Sequence, residues 1–351
     1  YVSRCGAWGN QCSLPSDDYP SLPRLLARAG YRSWLCGKMH FDRDRRYGFT
    51  ELFPHSGNAK RLPGGTRRRD PAREDVNRAQ WAARARTFRV IEDDRPFRAD
   101  PAASECDAHI TDRALDFLRE HARDPDPFFL LVGYHAPHFP LDVPRRYYDL
   151  FRGRVPMPRV RPEIWPTLPP HYRHRNAVHG VTDDIPPETL RLGRECYWAL
   201  VRWFDDQAGR LLRAVDDLPG AQDTLVIYTS DHGENKGDHG MWWKLCMYEH
   251  AVRVPLIARW PRRWPGGQRR RGACTLVDLS RTLLHAAGLP APEDWNGASL
   301  LPWLDDPDHP WLDRAVSEAY GDNISGFSMI RRGPFKYVYF TRPAPHAPPF
   351  P

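Results

Sequence analysis

Asp231 and His232 stand side by side directly behind a short apolar run, Thr224-Leu225-Val226-Ile227-Tyr228-Thr229. A carboxylate and an imidazole delivered together at the end of a buried segment suit a divalent metal. The same stretch runs on through Gly233, Glu234, Asn235, Lys236, Gly237, Asp238, His239 and Gly240 to Lys244. The chain writes nearly all of its positive charge as arginine, and lysine occurs only at 38, 60, 236, 244 and 336. A lysine inside a glycine-marked stretch offers a compact point charge that can sit against one oxygen, where a planar guanidinium would not fit. Two further clusters carry the same kinds of group: Gly37-Lys38-Met39-His40 and Pro137-His138-Phe139-Pro140. Lysines and histidines around a metal make a site for a dense tetrahedral anion whose leaving oxygen needs a proton.

Each cluster must be held by an element. The β-branched, apolar run 224–229 reads as a buried strand, as do Tyr31 to Cys36 and Pro127 to Tyr134. Each of the three ends in one of the reactive clusters, and ligand sites in open α/β sheets lie past the carboxyl ends of the strands. Another short strand is predicted over 254–258. Helices are predicted over 20–30, with Ser21 as N-cap and Gly30 as stop, and over 110–121. A long one spans 187–215, with Leu190, Trp198, Val201, Phe204, Ala208, Leu211 and Leu212 near helical spacing. The last is 276–287, with Thr275 or Asp278 near its start and Gly288 behind it. Residues 42–104 read as a long excursion on the substrate side, 141–186 as a Pro-rich connection and 289–313 as loop. Residues 314–340 read as strands of a small sheet. The fold class expected is α/β, a mixed, mainly parallel sheet between helices, with a small, incomplete C-terminal antiparallel α+β domain. The domains are then 1–310 and 311–351.

Composition narrows the partners. The net charge is +7, but the densest basic runs, Arg67-Arg68-Arg69 and Arg269-Arg270-Arg271, are not interleaved with aromatics. That argues against a nucleic-acid partner and for an anionic substrate. No 18-residue apolar run exists, so no membrane-spanning helix is expected. The seven cysteines are odd in number and show no CxxC spacing. They read as reduced thiols of a cytoplasmic chain and not as a disulfide framework. Nothing in the sequence indicates an oligomeric state.

With the clusters laid out in order, the chain resembles the sulfatases of the alkaline phosphatase superfamily, and loosely their choline-sulfatase-like branch. Gly37-Lys38-Met39-His40 resembles the family's GK-x-H motif, Pro137-His138-Phe139-Pro140 its PH-x-P motif, and Ser230 to Glu234 its SDHGE motif. Gly237-Asp238-His239-Gly240, Lys244, Tyr248-Glu249 and Arg253-Val254-Pro255 resemble the continuation. The resemblance implies an alkaline-phosphatase-like fold and a sulfuric ester hydrolase acting on a small-molecule or saccharide sulfate ester. It implies that Asp231 and His232 bind a divalent cation, calcium in most of the family. The histidine nitrogen leaves Mn²⁺ or Mg²⁺ open. Lys38 and His40 would orient and deprotonate the nucleophile, His138 would be general acid at the leaving oxygen, and Lys244 would bridge sulfate and leaving oxygen. A phosphonate monoester or phosphodiester hydrolase of the same superfamily would present nearly the same site, and a non-catalytic fragment is the third alternative.

The departures are as informative. The family's nucleophile is a Cys or Ser in C/S-x-P-S/A-R, converted to formylglycine, and that motif does not occur in the 351 residues. Cys12-Ser13-Leu14-Pro15-Ser16-Asp17 has one residue too many and no arginine. The chain therefore resembles a sulfatase without its first segment, and as written it is expected to show little or no turnover. His135 and His250 read as structural, Lys236 and Lys336 as solvated, and His239 as either a substrate contact or a packing residue of its loop.

Overall fold

The computed structural model describes Cys5, Leu14, Ser16 and residues 18–40, 45–54, 88–92, 107–158, 166–173, 186–321 and 324–341. Most of the 42–104 excursion, the Arg67-Arg68-Arg69 run, Cys12 and the Pro-rich tail beyond Thr341 lie outside the described residues. The strands are β1 Arg32–Gly37, β2 Thr50–Pro54, β3 Phe88–Ile91, β4 Phe128–Gly133, β5 Leu141–Pro144, β6 Val226–Thr229, β7 Leu256–Arg259, β8 Arg314–Gly321, β9 Ile324–Arg332 and β10 Phe335–Phe340.

β1 is the central strand of a parallel sheet, ordered β2-β1-β4. From Ser33 to Gly37 every residue is buried, as expected of a strand covered on both faces. Cys36 packs there with Ile110 and Ala114 from the helix Asp107–Glu120. β1 and β4 run in register, Arg32 beside Phe128 through Gly37 beside Gly133, so their carboxyl ends stop at one level. The helix Leu22–Leu26 leads into β1: Ser21 caps it by accepting from the Arg24 N–H, and Gly30 breaks out at φ 79°.

The long helix is observed as Pro187–Asp216. Its buried face runs through Leu190, Arg194, Glu195, Cys196, Ala199, Leu200 and Trp203, whereas Trp198, Val201 and Leu212 are exposed. The apolar stripe predicted from spacing was therefore drawn on the wrong side at those three positions. Two charged residues could turn inward because both are partnered. Glu195 accepts from the Tyr148 hydroxyl and the Gly153 N–H, each at 2.8 Å. Arg194 binds the Pro156 and Lys236 carbonyls and Asp238.

Several elements stand where connections were predicted. β2 and β3 lie inside the excursion, β5 and the helix Arg145–Phe151 lie inside the Pro-rich connection, and β3 pairs in parallel with β5. Asp142 interrupts the apolar pattern of β5, yet it is buried because Arg89 on β3 grips it at 2.8 and 2.5 Å. A pairing between residues 53 apart leaves no local signature. The helix Leu301–Asp305 stands in the stretch read as loop.

β6 pairs antiparallel with β7, and among the described residues this pair is hydrogen-bonded separately from the β1 sheet. The helix Leu276–Ala286 carries a capping box between Thr275 and Asp278. β8, β9 and β10 form the antiparallel sheet expected over 314–340, docked through Phe327 and Met329 onto Met247. Cys36, Cys196 and Cys274 are free thiols. No helix among the described residues is long and apolar enough to cross a membrane.

Candidate active site

The site begins where β1 and β4 end. Gly37 sits at φ 97°, and a Cβ there would lie 2.2 Å from the Gly133 carbonyl oxygen. A Cβ on Gly133 would lie 2.2 Å from the Lys38 carbonyl oxygen. Only glycine at both positions lets the strand ends close, and the Lys38 N–H then donates to Gly133 at 2.7 Å. Lys38 and the turn that carries His138 thus leave the sheet together. His40, two residues on, is exposed.

Asp107 holds that turn. It opens the helix Asp107–Glu120, is almost fully buried, and accepts the backbone N–H of His135 at 3.0 Å and of Ala136 at 2.6 Å. Sequence reasoning missed it, since an acid in the first turn of a helix looks like an ordinary end charge. Burial pushes its carboxyl up to about 6, against the two N–H bonds and the nearby charge of Lys38. The unfolded value is about 3.9, so the folded state takes up the proton more readily. The cost of burying the charge is absent below pH ~4 and complete above ~6, where it reaches roughly 2–3 kcal/mol. Relative to Asp107→Asn, the wild type is expected to lose stability as pH rises through that window. Urea midpoints of both proteins from pH 4 to 7 check this, and a flat difference would contradict it.

The tautomer of His138 follows from its partners. Its Nδ1 lies 2.8 Å from the Phe139 carbonyl, which can only accept, so the proton sits on Nδ1. His135 donates from Nε2 to the same carbonyl at 2.9 Å, in keeping with its structural reading. The Nε2 of His138 therefore carries a lone pair, and Lys244 Nζ donates to it at 2.7 Å. Burial, then the charges of Lys244 and Lys38, hold the imidazole far below its ordinary value, so it is neutral. The transferable proton of this pair resides on Lys244.

The third contribution comes from the end of β6. Ser230 Oγ donates to the His232 carbonyl at 2.8 Å, and Asp231 Oδ1 accepts the His232 N–H at 3.0 Å. Gly233 N–H donates to Ala251, and a Cβ at 233 would meet the His250 carbonyl oxygen at 2.1 Å. His232 donates from Nδ1 to the Gly233 carbonyl at 2.9 Å, which leaves its Nε2 lone pair 3.5 Å from Asp231 Oδ2. Its ring centroid is 5.8 Å from that of His138. Burial depresses the His232 imidazole as well. An exposed carboxylate beside an unprotonated nitrogen fits one edge of a cation's shell. Among the described residues no group of three or more such side chains converges.

Lys38, His138, Asp231, His232 and Lys244 are thus gathered at one place, Lys38 through its charge on both histidines. Two expectations need correcting. Lys236 is not solvated: its Nζ donates to the Glu234 carbonyl and sits 4.8 Å from the Tyr197 ring centroid. Lys336 is not solvated either, since its Nζ binds the Met247 carbonyl at 2.7 Å and Glu249 at 2.6 Å. His239 stacks on Tyr248 with centroids 4.4 Å apart, so it packs its loop. Glu234 is a further acid that sequence reasoning did not single out; it is half-buried, and desolvation raises its carboxyl.

The sulfatase family profile matches residues 3–289, which carry Lys38, His138, Asp231, His232 and Lys244. The chain belongs to the sulfatase family. A second profile, N-sulphoglucosamine sulphohydrolase C-terminal, matches 237–343 and so runs from the Lys244 loop through the antiparallel sheet. Among sulfatase relatives, the arylsulfatase of Clostridium perfringens is 25% identical over 90% of this chain and 68% of its own length. The choline-sulfatase of Rhizobium meliloti is 28% identical over 96% of this chain and 66% of its own. Human iduronate 2-sulfatase is 35% identical, over 46% of this chain and 32% of its own. The chain thus spans about two thirds or less of the length of these curated relatives. Two solved structures share the fold, each at 22% identity over 97% of this chain. One, holding its substrate D-glucosamine-2-N,6-O-disulfate, has a TM-score of 0.69 and is covered to 76%. The other, the phosphonate monoester hydrolase of Silicibacter pomeroyi, has a TM-score of 0.70 and is covered to 75%. The alkaline-phosphatase-like α/β fold expected from the motifs is the observed one.

Proposed function

We propose that this chain carries the anion-binding and leaving-group side of a metal-dependent sulfate-ester hydrolase. The observation that supports it most directly is the Lys244–His138 contact at 2.7 Å, with the Asp231–His232 pair beside it. Hydrolysis breaks the S–O bond to the alcohol; water supplies oxygen to sulfur and, in net, the proton taken by the leaving alkoxide. Lys244 Nζ is the acid in reach of that oxygen, neutral His138 aims it through Nε2, and the proton released as water adds to sulfur restores the ammonium. Lys38 adds a second positive charge against the sulfate. Asp231 and His232 would hold the divalent cation, calcium by family resemblance, which would supply further charge against a sulfate oxygen. The covalent nucleophile implied by the resemblance is formylglycine, whose motif is not among these residues. The substrate class is a small-molecule or saccharide sulfate ester.

The second reading, a phosphonate monoester hydrolase, is favoured by the likeness to the Silicibacter pomeroyi enzyme and by a cationic site that suits either tetrahedral anion. Assay of the full native gene product with one aryl sulfate and the matching aryl phosphonate separates them. Faster sulfate turnover is expected. Faster phosphonate turnover would overturn the sulfatase reading.

A further inference from the structure

Lys244 is flanked by two residues in left-handed backbone, Trp243 at φ 60° and Leu245 at φ 65°. Neither is glycine, so each is strained and persists only where its surroundings hold it. The lysine's contact with His138 depends on that backbone, because its Nζ must arrive within hydrogen-bond reach of one ring nitrogen.

Among the described residues, Asn235 ties down both flanks of Lys244. It is fully buried. Its backbone N–H donates to the Trp243 carbonyl at 3.0 Å, and its side-chain Nδ2 donates to that same carbonyl. Nδ2 also reaches Cys246 Sγ at 3.2 Å, and the thiol donates back to Oδ1 at 3.6 Å. Trp243 precedes Lys244 by one residue and Cys246 follows it by two. One carboxamide therefore ties both sides of the lysine to the segment just behind His232.

We infer that Asn235 is a positioning residue that sets Lys244 against His138. An amide suits the place because it offers two donors and an acceptor in one plane. Aspartate keeps the shape but loses both donors, leucine loses donors and acceptor, and glutamine adds a methylene to a packed position. The inference rests on the reading of Lys244 as an anion-binding group.

The test is a double-mutant cycle read by calorimetric titration of inorganic sulfate into the full, calcium-loaded chain. Lys244→Ala is expected to weaken sulfate binding on the order of tenfold. Asn235→Leu and Asn235→Asp should each weaken it several-fold when Lys244 is present and no further in the Lys244→Ala background. Asn235→Asp keeps the volume and the oxygen that accepts from the Cys246 thiol, so it carries the test if the leucine variant fails to fold, as thermal melts will show. An equal loss in both backgrounds means a general structural role and overturns the proposal. So does unchanged affinity in both Asn235 variants while Lys244→Ala weakens binding. If Lys244→Ala itself changes nothing, the anion-site reading fails and takes this proposal with it.

Discussion

Lys244→Ala in the full native gene product is expected to lower kcat for an aryl sulfate by about 10²–10³, or ~3–4 kcal/mol of transition-state stabilisation. The magnitude comes from two roles lost together. The ammonium is one of two lysine charges bearing on the half-buried His138 and His232, and it holds the proton that His138 lacks at Nε2. Charge develops on the leaving oxygen as the S–O bond breaks, so the loss should fall on kcat more than on KM. Lys244→Arg should not restore the rate. A planar guanidinium cannot place a single donor on His138 Nε2 in the space of an ammonium. Steady-state kinetics of both variants check this, and an arginine variant with wild-type kcat would remove the argument from geometry.

Gly133→Ala is expected to destabilise the fold by roughly 1–3 kcal/mol and to lower the melting temperature by several degrees. The added methyl would stand 2.2 Å from the Lys38 carbonyl oxygen, which is backbone and cannot swing aside. The ends of β1 and β4 must then separate, and the 2.7 Å bond from Lys38 N–H to Gly133 goes with them. Sulfate affinity should fall as well, since Lys38 and the His138 turn leave the sheet at this seam. Gly220→Ala is the control: that glycine sits at φ −91° with nothing within 4 Å of where the added methyl would stand, so its melting point should not move. Equal melting points for the two variants would show that the seam tolerates a side chain.

Legibility followed the range of the interactions. Ser21 and Gly30 act through neighbours, and they bound the first helical segment where the sequence places them. Thr275 and Asp278 form a box from residues three apart, and the helix start was readable. β5 was not, because what permits a buried Asp142 is Arg89 on a distant strand. Arg194 and Glu195 misled the helix stripe for the same reason: a charged residue reads as exposed until its partners are known. Asp107 looked like a helix-end acid and proved to be the anchor of the His138 turn.

The sequence by itself determined the inventory and its order. Apolar runs of strand length ending in Lys38, His138 and Asp231-His232 are local patterns, and with the resemblance of those motifs to the sulfatases they were enough to name the fold, the family and the residues to watch. Tertiary structure decided their states. It put the His138 proton on Nδ1, left its Nε2 to accept from Lys244, turned the Nε2 of His232 toward Asp231, and gave Asn235 the two flanks of Lys244. Those outcomes depend on burial and on contacts such as the one spanning the 106 residues between His138 and Lys244. No local pattern encodes desolvation or a partner that far away, so they become visible only once the chain has closed on itself.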